Sequence, residues 1–237
     1  VLTPDICNYF ISLHSSAELL NVTFEGRAGG EIQKKIKSTS DLACDSYGEV
    51  IESMDKSNQE LNLNFSFDKE EYLNNLKVLD DVLIKCTQDY YANVIAPSFN
   101  FDSISGLITE ENLRNIHIRP GYQIQRYEKN VGHYNASHQD WGWLPDLCKR
   151  YISFIFYLND VKEGGETEFI LQKQKIKPKT GSLLIFPPFY THSHKGCMPI
   201  SNDKYIMCTW LNNRGIVSID KNLTSEDDAY QEYVKSR

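Results

Sequence analysis

Side chains that could bind a metal ion occur at two places in the second half of the chain. His138 and Asp140 are two residues apart, so in an extended strand an imidazole and a carboxylate would point to the same side. His192 and His194 follow the apolar segment Leu183–Phe186 and offer a second imidazole. Two histidines and one carboxylate on one face of a metal ion leave its remaining positions open for small molecules. The spacing alone does not decide between His192 and His194.

That ligand set is used by non-haem Fe(II) oxygenases, and the motifs in this half of the chain resemble the Fe(II)- and 2-oxoglutarate-dependent dioxygenases of the prolyl 4-hydroxylase type. The similarity covers about residues 123–211, and the opening segment from Leu2 to Cys7 is also similar to the start of many catalytic domains in that family. Five motifs in the family's order carry it: His138-Gln139-Asp140, the segment YLNDVKEGGETEF from Tyr157, the segment GSLLIFPP from Gly181, His194, and Lys204-Tyr205-Ile206. The resemblance implies a double-stranded β-helix, a jelly-roll or cupin-like barrel whose open mouth holds the iron.

The resemblance also implies which residues bind the metal and the co-substrate. His138, Asp140 and His194 would hold Fe(II), with 2-oxoglutarate and O2 at the open positions and ascorbate as a candidate reductant. Lys204, ten residues after His194, stands where the family places its basic anchor for the far carboxylate of 2-oxoglutarate. An unpaired carboxylate in an apolar barrel would cost several kcal/mol, so a cation is needed there. His192 would then be a neighbour of the site.

Three further residues are candidates for the co-substrate pocket. Tyr127 matches a tyrosine that lines this pocket in related enzymes, Tyr157 is a second candidate hydroxyl, and Thr167 should lie nearby. Gly164-Gly165 predicts a tight turn that lets the backbone approach closely.

Aromatic and guanidinium groups near the predicted mouth are candidates for substrate contact. An extended, proline-containing peptide or protein would suit such a rim, because its rigid shape loses little entropy on docking. The alternative is that the tryptophans pack a lid against the barrel. The residues are Arg150, Trp141, Trp143 and Trp210.

The elements that must position these residues divide the chain into helices first and strands afterwards. Thr3-Pro4-Asp5 predicts a helix start, and Asp68 with Glu71 predicts another, followed by an apolar stripe that runs to Pro97. The polar, glycine-containing pattern of residues 21–67 predicts edge strands or an ordered flap, and a surface insertion is the alternative to the flap. Strands are predicted at residues 116–127, 151–159, 181–186 and 205–211.

This order favours an α+β fold with a mainly β core. We expect one catalytic domain over residues 1–237, with helical support and a flap at 1–100, the double-stranded β-helix at 101–213 and a polar segment at 214–237.

Composition excludes several classes of protein. The chain has 237 residues, 41% of them hydrophobic, and a net charge of −7, which argues against nucleic-acid binding driven by overall charge. No apolar run approaches the length of a membrane span. The six cysteines include no C-x-x-C pair, so neither a zinc knuckle nor a redox motif is indicated. With no leader visible, we expect a cytoplasmic protein; the sequence does not indicate its oligomeric state.

The sequence therefore predicts a hydroxylase that inserts oxygen into an unactivated C–H bond, with C4 of prolyl residues as the first candidate. One alternative is hydroxylation of another amino-acid side chain, a free amino acid or a small metabolite. A second is a jelly-roll module that binds a ligand without turnover. A third, a zinc hydrolase with the same ligands, lacks an obvious general base near His138.

Overall fold

The structure, a computed structural model, describes residues 1–95, 121–142 and 147–212. Its described part contains eleven strands and three α-helices. The strands are β1 (Phe24–Glu25), β2 (Lys37–Ser38), β3 (Ser40–Cys44), β4 (Tyr122–Tyr127), β5 (His133–His138), β6 (Arg150–Tyr157), β7 (Thr167–Phe169), β8 (Gln174–Ile176), β9 (Leu183–Phe186), β10 (His194–Gly196) and β11 (Lys204–Asn212). The helices are α1 (Pro4–Leu19), α2 (Glu49–Glu60) and α3 (Lys69–Tyr90), the last followed by a π-helical turn, Tyr91–Ile95.

The strands form two antiparallel sheets. The large sheet has the order β1-β3-β4-β11-β6-β9, and the small sheet has the order β2-β5-β10-β7-β8. From β4 onward the chain alternates between the sheets, with the β7–β8 hairpin as one visit to the small sheet. This alternation is the double-stranded β-helix, and the mainly β core predicted from the sequence is confirmed.

Strand β6 explains how both faces of the large sheet are covered. Phe154 and Phe156 belong to the cluster that packs with the helices, whereas Ile155 and Tyr157 belong to the cluster inside the barrel. A strand covered on both faces reads as a continuous apolar run, as this one does. The interior cluster also contains Phe169 of the small sheet, so the two sheets pack against each other there.

The helices cover the outer face of the large sheet. Helix α1 begins where predicted, since the Thr3 hydroxyl accepts a hydrogen bond from the Ile6 amide. Helix α3 also begins where predicted, because the Asp68 carboxylate accepts from the amides of Glu70 and Glu71. In the described ranges, no helix combines the length and apolar character that a bilayer crossing requires.

Residues 21–67 hold more regular structure than the sequence predicted. They contribute β1 and β3 to the large sheet, β2 to the small sheet, and helix α2, which was not predicted. The strand predicted at 116–127 is described only from residue 121 and begins at Tyr122. The polar segment predicted at 214–237 lies outside the described residues.

Candidate active site

Two histidines face each other across the small sheet. His138 at the end of β5 and His194 at the start of β10 are cross-strand partners, with ring centroids 4.3 Å apart. Asp140 lies two residues beyond His138, and its Oδ1 is 3.9 Å from His138 Nε2. One possible ligand atom from each of the three residues lies within 4.8 Å of the others. The structure thus brings together the residues that the sequence predicted as metal ligands.

Hydrogen bonds of the two imidazoles favour metal binding. The Nδ1 atom of His138 lies 3.1 Å from the Ala136 carbonyl, and that of His194 lies 3.0 Å from the His192 carbonyl. Because a carbonyl only accepts, each Nδ1 carries the proton and each Nε2 keeps its lone pair. Burial lowers the pKa of His138 to about 4, helped by the neighbouring His194, so this imidazole is neutral at pH 7.

The carboxylate of Asp140 is fixed from strand β6. The Ser153 hydroxyl donates to its Oδ2 at 2.6 Å, and Arg150 donates to its main-chain carbonyl at 3.1 Å. Burial would raise the pKa of Asp140, but the two imidazoles and the bond from Ser153 outweigh it, and the pKa lies below its usual value. Two imidazole nitrogens and one carboxylate on one face fit Fe(II) with open positions.

His192 lies outside this group. It belongs to a 3-10 turn, Tyr190–His192, and its ring packs edge-on against Phe169 at 5.9 Å. Its backbone carbonyl, not its side chain, serves the site by holding His194.

Replacing each of the two histidines with alanine tests this distinction. His192→Ala is expected to leave the dissociation constant for Mn(II) within about twofold, because the carbonyl that orients His194 remains. His194→Ala should weaken Mn(II) binding by about 100-fold or more, since it removes a ligand atom. Titration calorimetry measures both constants, and the opposite ranking would reassign the ligand.

The predicted anchor Lys204 lies at the start of β11, in the large sheet. It is the cross-strand partner of Tyr127, only 1% of its surface is exposed, and its Nζ lies 4.5 Å from the centre of the Tyr127 ring. Among the described residues, no carboxylate forms an ion pair with it. Burial lowers the pKa of Lys204 to about 8 and outweighs the smaller opposing effects of Cys208, Cys197 and Glu166. Such a cation is suited to receive a carboxylate from a ligand.

A cavity of about 540 Å³ joins the two groups. His138, His194, Lys204, Tyr127 and Thr167 all line it. Tyr157 lies behind this wall, where its hydroxyl donates to Thr167 Oγ1 at 2.7 Å. The structure therefore places Tyr157 as the support of Thr167, with Thr167 itself facing the cavity.

Gly164 and Gly165 lie beside the anchor Lys204, a neighbour that the sequence did not predict. Both residues have a positive φ, 74° and 73°, which favours glycine. A side-chain carbon at Gly164 would lie 2.4 Å from the Met198 carbonyl, and one at Gly165 would lie 3.4 Å from Lys204 Cδ. Without side chains at these two positions, the backbone passes close to the Met198 carbonyl and to the side chain of Lys204.

The predicted rim residues have different positions. Arg150 and Trp210 line the cavity, and the Arg150 guanidinium lies 3.6 Å from the centre of the Trp210 ring. Trp141 packs beside Phe189 with ring centres 6.3 Å apart. Trp143 lies outside the described residues.

The site residues that the sequence did not predict include Ser153 and Lys37. Ser153 interrupts an apolar strand, and a buried hydroxyl in such a strand was a usable signal. Lys37 also lines the cavity, but it follows Lys34 and Lys35 in a polar stretch, and nothing in the sequence distinguishes it from them.

Comparison with known proteins links this geometry to one family. Residues 122–212 match the family model described as the 2OG-Fe(II) oxygenase superfamily. The chain is 26% identical over 119 residues to prolyl 4-hydroxylase 13 of Arabidopsis thaliana, and 32% identical over 108 residues to a putative prolyl 4-hydroxylase of Acanthamoeba polyphaga mimivirus. Each match covers 39% of this chain, and 43% and 44% of the respective relatives, so the chain spans less than half of their length.

Two solved structures share the fold. A prolyl hydroxylase of Trichoplax adhaerens, in complex with a hypoxia inducible factor peptide fragment, has a TM-score of 0.57 and 15% identity over 88% of this chain and 79% of that one. A prolyl-4-hydroxylase of Pseudomonas putida has a TM-score of 0.54 and 12% identity over 90% of this chain and 89% of that one. At these identities the likeness establishes the fold.

Proposed function

We propose that this chain is a 2-oxoglutarate-dependent dioxygenase that hydroxylates prolyl residues of a peptide or protein, because residues 122–212 match the model of the 2OG-Fe(II) oxygenase superfamily. The observation that carries the proposal is one cavity with a metal-ligand triad and a buried lysine. Lys204 has a ready role only if the ligand is a dicarboxylate. A zinc hydrolase would have no use for it.

Fe(II) bound there would activate O2. Oxidative decarboxylation of 2-oxoglutarate to succinate and CO2 takes up one oxygen atom, and the other converts a C–H bond of the substrate to C–OH. The chain's own residues position the reactants. Lys204 and Thr167 hold the far carboxylate, and Ser153 keeps Asp140 oriented toward the metal. The apolar interior cluster excludes water from the reaction.

Prolyl substrates are favoured by the relatives and by the rim. The curated relatives are prolyl 4-hydroxylases by name, and one structure of the same fold holds a peptide. Arg150, stacked on Trp210 at the cavity, offers guanidinium donors for a peptide carbonyl beside an aromatic surface for a prolyl ring. Hydroxylation of another side chain, a free amino acid or a small metabolite is the alternative.

The test supplies Fe(II), 2-oxoglutarate and ascorbate with pairs of peptides that differ only by proline or alanine. We expect succinate formation above background only with the proline member, together with the gain of one oxygen atom by mass spectrometry. Equal succinate with both members would contradict the prolyl assignment and leave the dioxygenase. Absence of any 2-oxoglutarate turnover would favour a binding module.

The affinity for 2-oxoglutarate should fall at alkaline pH. The far carboxylate needs the protonated ammonium of Lys204, whose pKa is lowered to about 8, so the competent form is complete below this value and lost as the pH rises through it. The dissociation constant of the Mn(II)-loaded protein should increase about tenfold between about pH 7 and about pH 9. Lys204→Arg should weaken this dependence, because a guanidinium stays charged. An equal dependence in both proteins would exclude Lys204 as its source.

A further inference from the structure

A buried ion pair joins the two sheets beside the cavity. Lys37 of β2, in the small sheet, donates from Nζ to Oδ2 of Asp41 of β3, in the large sheet, at 3.0 Å. Their side chains are 5% and 0% exposed. Replacing a buried ion pair by apolar residues of similar volume is often neutral or stabilising, so stability alone does not account for this one.

A chain of hydrogen bonds leads from this pair to the co-substrate pocket. Gln123 donates to Asp41 Oδ2 at 2.9 Å, and Gln125 donates to Gln123 Oε1 at 3.4 Å. The Tyr127 hydroxyl then donates to Gln125 Oε1 at 3.2 Å. The three β4 residues alternate along the strand and therefore share its inner face.

The charge of Asp41 fixes which side chain donates and which accepts in each of these hydrogen bonds. An ionised carboxylate only accepts, so Gln123 must present its amide nitrogen to Asp41 and its carbonyl to Gln125. Gln125 is then turned the same way and offers its carbonyl to Tyr127. The ring of Tyr127, held at its hydroxyl, lies against the Lys204 ammonium.

The same pair also reaches the metal side of the cavity. Lys37 is the cross-strand partner of Tyr134, and its Nζ lies 5.5 Å from the centre of that ring. Tyr134 stacks on His138 with ring centroids 3.7 Å apart. The ion pair is therefore connected to both halves of the site. On one side Tyr134 links it to His138, and on the other Gln123, Gln125 and Tyr127 link it to Lys204.

We propose that Lys37 and Asp41 are positioning residues that fix Tyr127 against Lys204 and thereby set the affinity for 2-oxoglutarate. This inference rests on the proposed function. Neither residue has a place in the reaction itself. Their contribution is the orientation of the Gln123-Gln125 chain and of the tyrosine at its end.

Asp41→Asn tests the proposal with an isosteric change. The amide can present either its oxygen or its nitrogen to Gln123, so the donor-to-acceptor direction of the hydrogen bonds from Tyr127 to Asp41 is no longer fixed. We expect the dissociation constant for 2-oxoglutarate of the Mn(II)-loaded protein to rise about tenfold, while that for Mn(II) stays within about twofold. Titration calorimetry gives both values.

A control comes from the opposite face of β4, the strand that carries Gln123 and Gln125. Tyr122→Phe removes the partly buried hydrogen bond from Tyr122 to Asp80, which is 2.6 Å long and faces the helices. It should lower the melting temperature and leave the affinity for 2-oxoglutarate unchanged. If both variants weaken 2-oxoglutarate in proportion to their loss of stability, the role of Asp41 is only structural and the proposal fails.

A double variant covers the case in which Asp41→Asn does not fold because Lys37 is left unpaired. Lys37→Met with Asp41→Asn removes both charges, and it should also bind 2-oxoglutarate about tenfold more weakly at near-normal Mn(II) affinity. Wild-type affinity in a folded variant would overturn the positioning role alone. If the wild-type protein itself shows no Mn(II)-dependent 2-oxoglutarate binding, the proposed function fails instead.

Discussion

Replacing Lys204 with methionine is expected to raise the dissociation constant for 2-oxoglutarate by about 100-fold or more. The lysine is 1% exposed, and without it the far carboxylate of the ligand would be buried without the ammonium that we propose pairs with it. Leaving one charge of a buried pair uncompensated costs roughly 3–5 kcal/mol, and each 1.4 kcal/mol is about a factor of ten. Titration of the Mn(II)-loaded protein with 2-oxoglutarate measures the change.

The control for this variant is Lys77→Met, on helix α3. The side chain of Lys77 is 71% exposed and pairs with Asp81 at the surface, so its loss should leave the dissociation constant unchanged. Methionine approximates the length of the lysine stem, and Lys204→Met should therefore keep its fold and its Mn(II) affinity. A change of less than about threefold in 2-oxoglutarate binding would mean that another group receives the carboxylate.

His138→Ala is expected to abolish succinate formation and to weaken Mn(II) binding by about 100-fold or more. This imidazole supplies one of three ligand atoms, and loss even of a group that merely orients a ligand costs about 10- to 100-fold in affinity. The neighbouring ring of Tyr134 would lose its stacking partner, but no buried charge would be left unpaired. Calorimetry for the metal and a coupled succinate assay give the two readouts.

His133→Ala is the matched control, because it lies on the same strand five residues earlier. Its Nδ1 bonds to the Val131 carbonyl in the turn before the strand, and it is not among the clustered ligand atoms. Metal affinity should be retained within about twofold. Retained Mn(II) binding and turnover in His138→Ala would show that the metal lies elsewhere.

The sequence predicted the parts of this site that depend on local pattern. Two-residue alternation brought His138 and Asp140 together, although in the structure the strand ends at His138 and Asp140 follows in a bend. The family's spacing identified Lys204. The choice of His194 over His192 required the resemblance, because the 3-10 turn that turns His192 away cannot be derived from alternation. The structure adds the reason for that choice, which is the cross-strand pairing of His194 with His138.

The remaining features depend on contacts between distant segments. Lys37 and Asp41 lie more than 80 residues before the glutamines that they orient, and no local periodicity connects them. Helix α2 escaped prediction because it is short and mostly polar, and its buried stripe is narrow, with Val50, Ile51, Met54 and Asn58. Its N-cap is Gly48 in a left-handed conformation, and the amides of Glu49 and Val50 donate to the carboxylate of Asp45, which lies three residues before that N-cap.

Two pairs of site residues are cross-strand partners, one pair in each sheet. His138 faces His194 in the small sheet, and Lys204 faces Tyr127 in the large sheet. A slip of one residue in either pairing would turn the affected strand's side chains to the opposite face. A molecule with a misaligned strand therefore lacks either its iron ligands or its anchor. Fe(II) and 2-oxoglutarate would bind only the correctly paired fold and would stabilise it over misaligned ones.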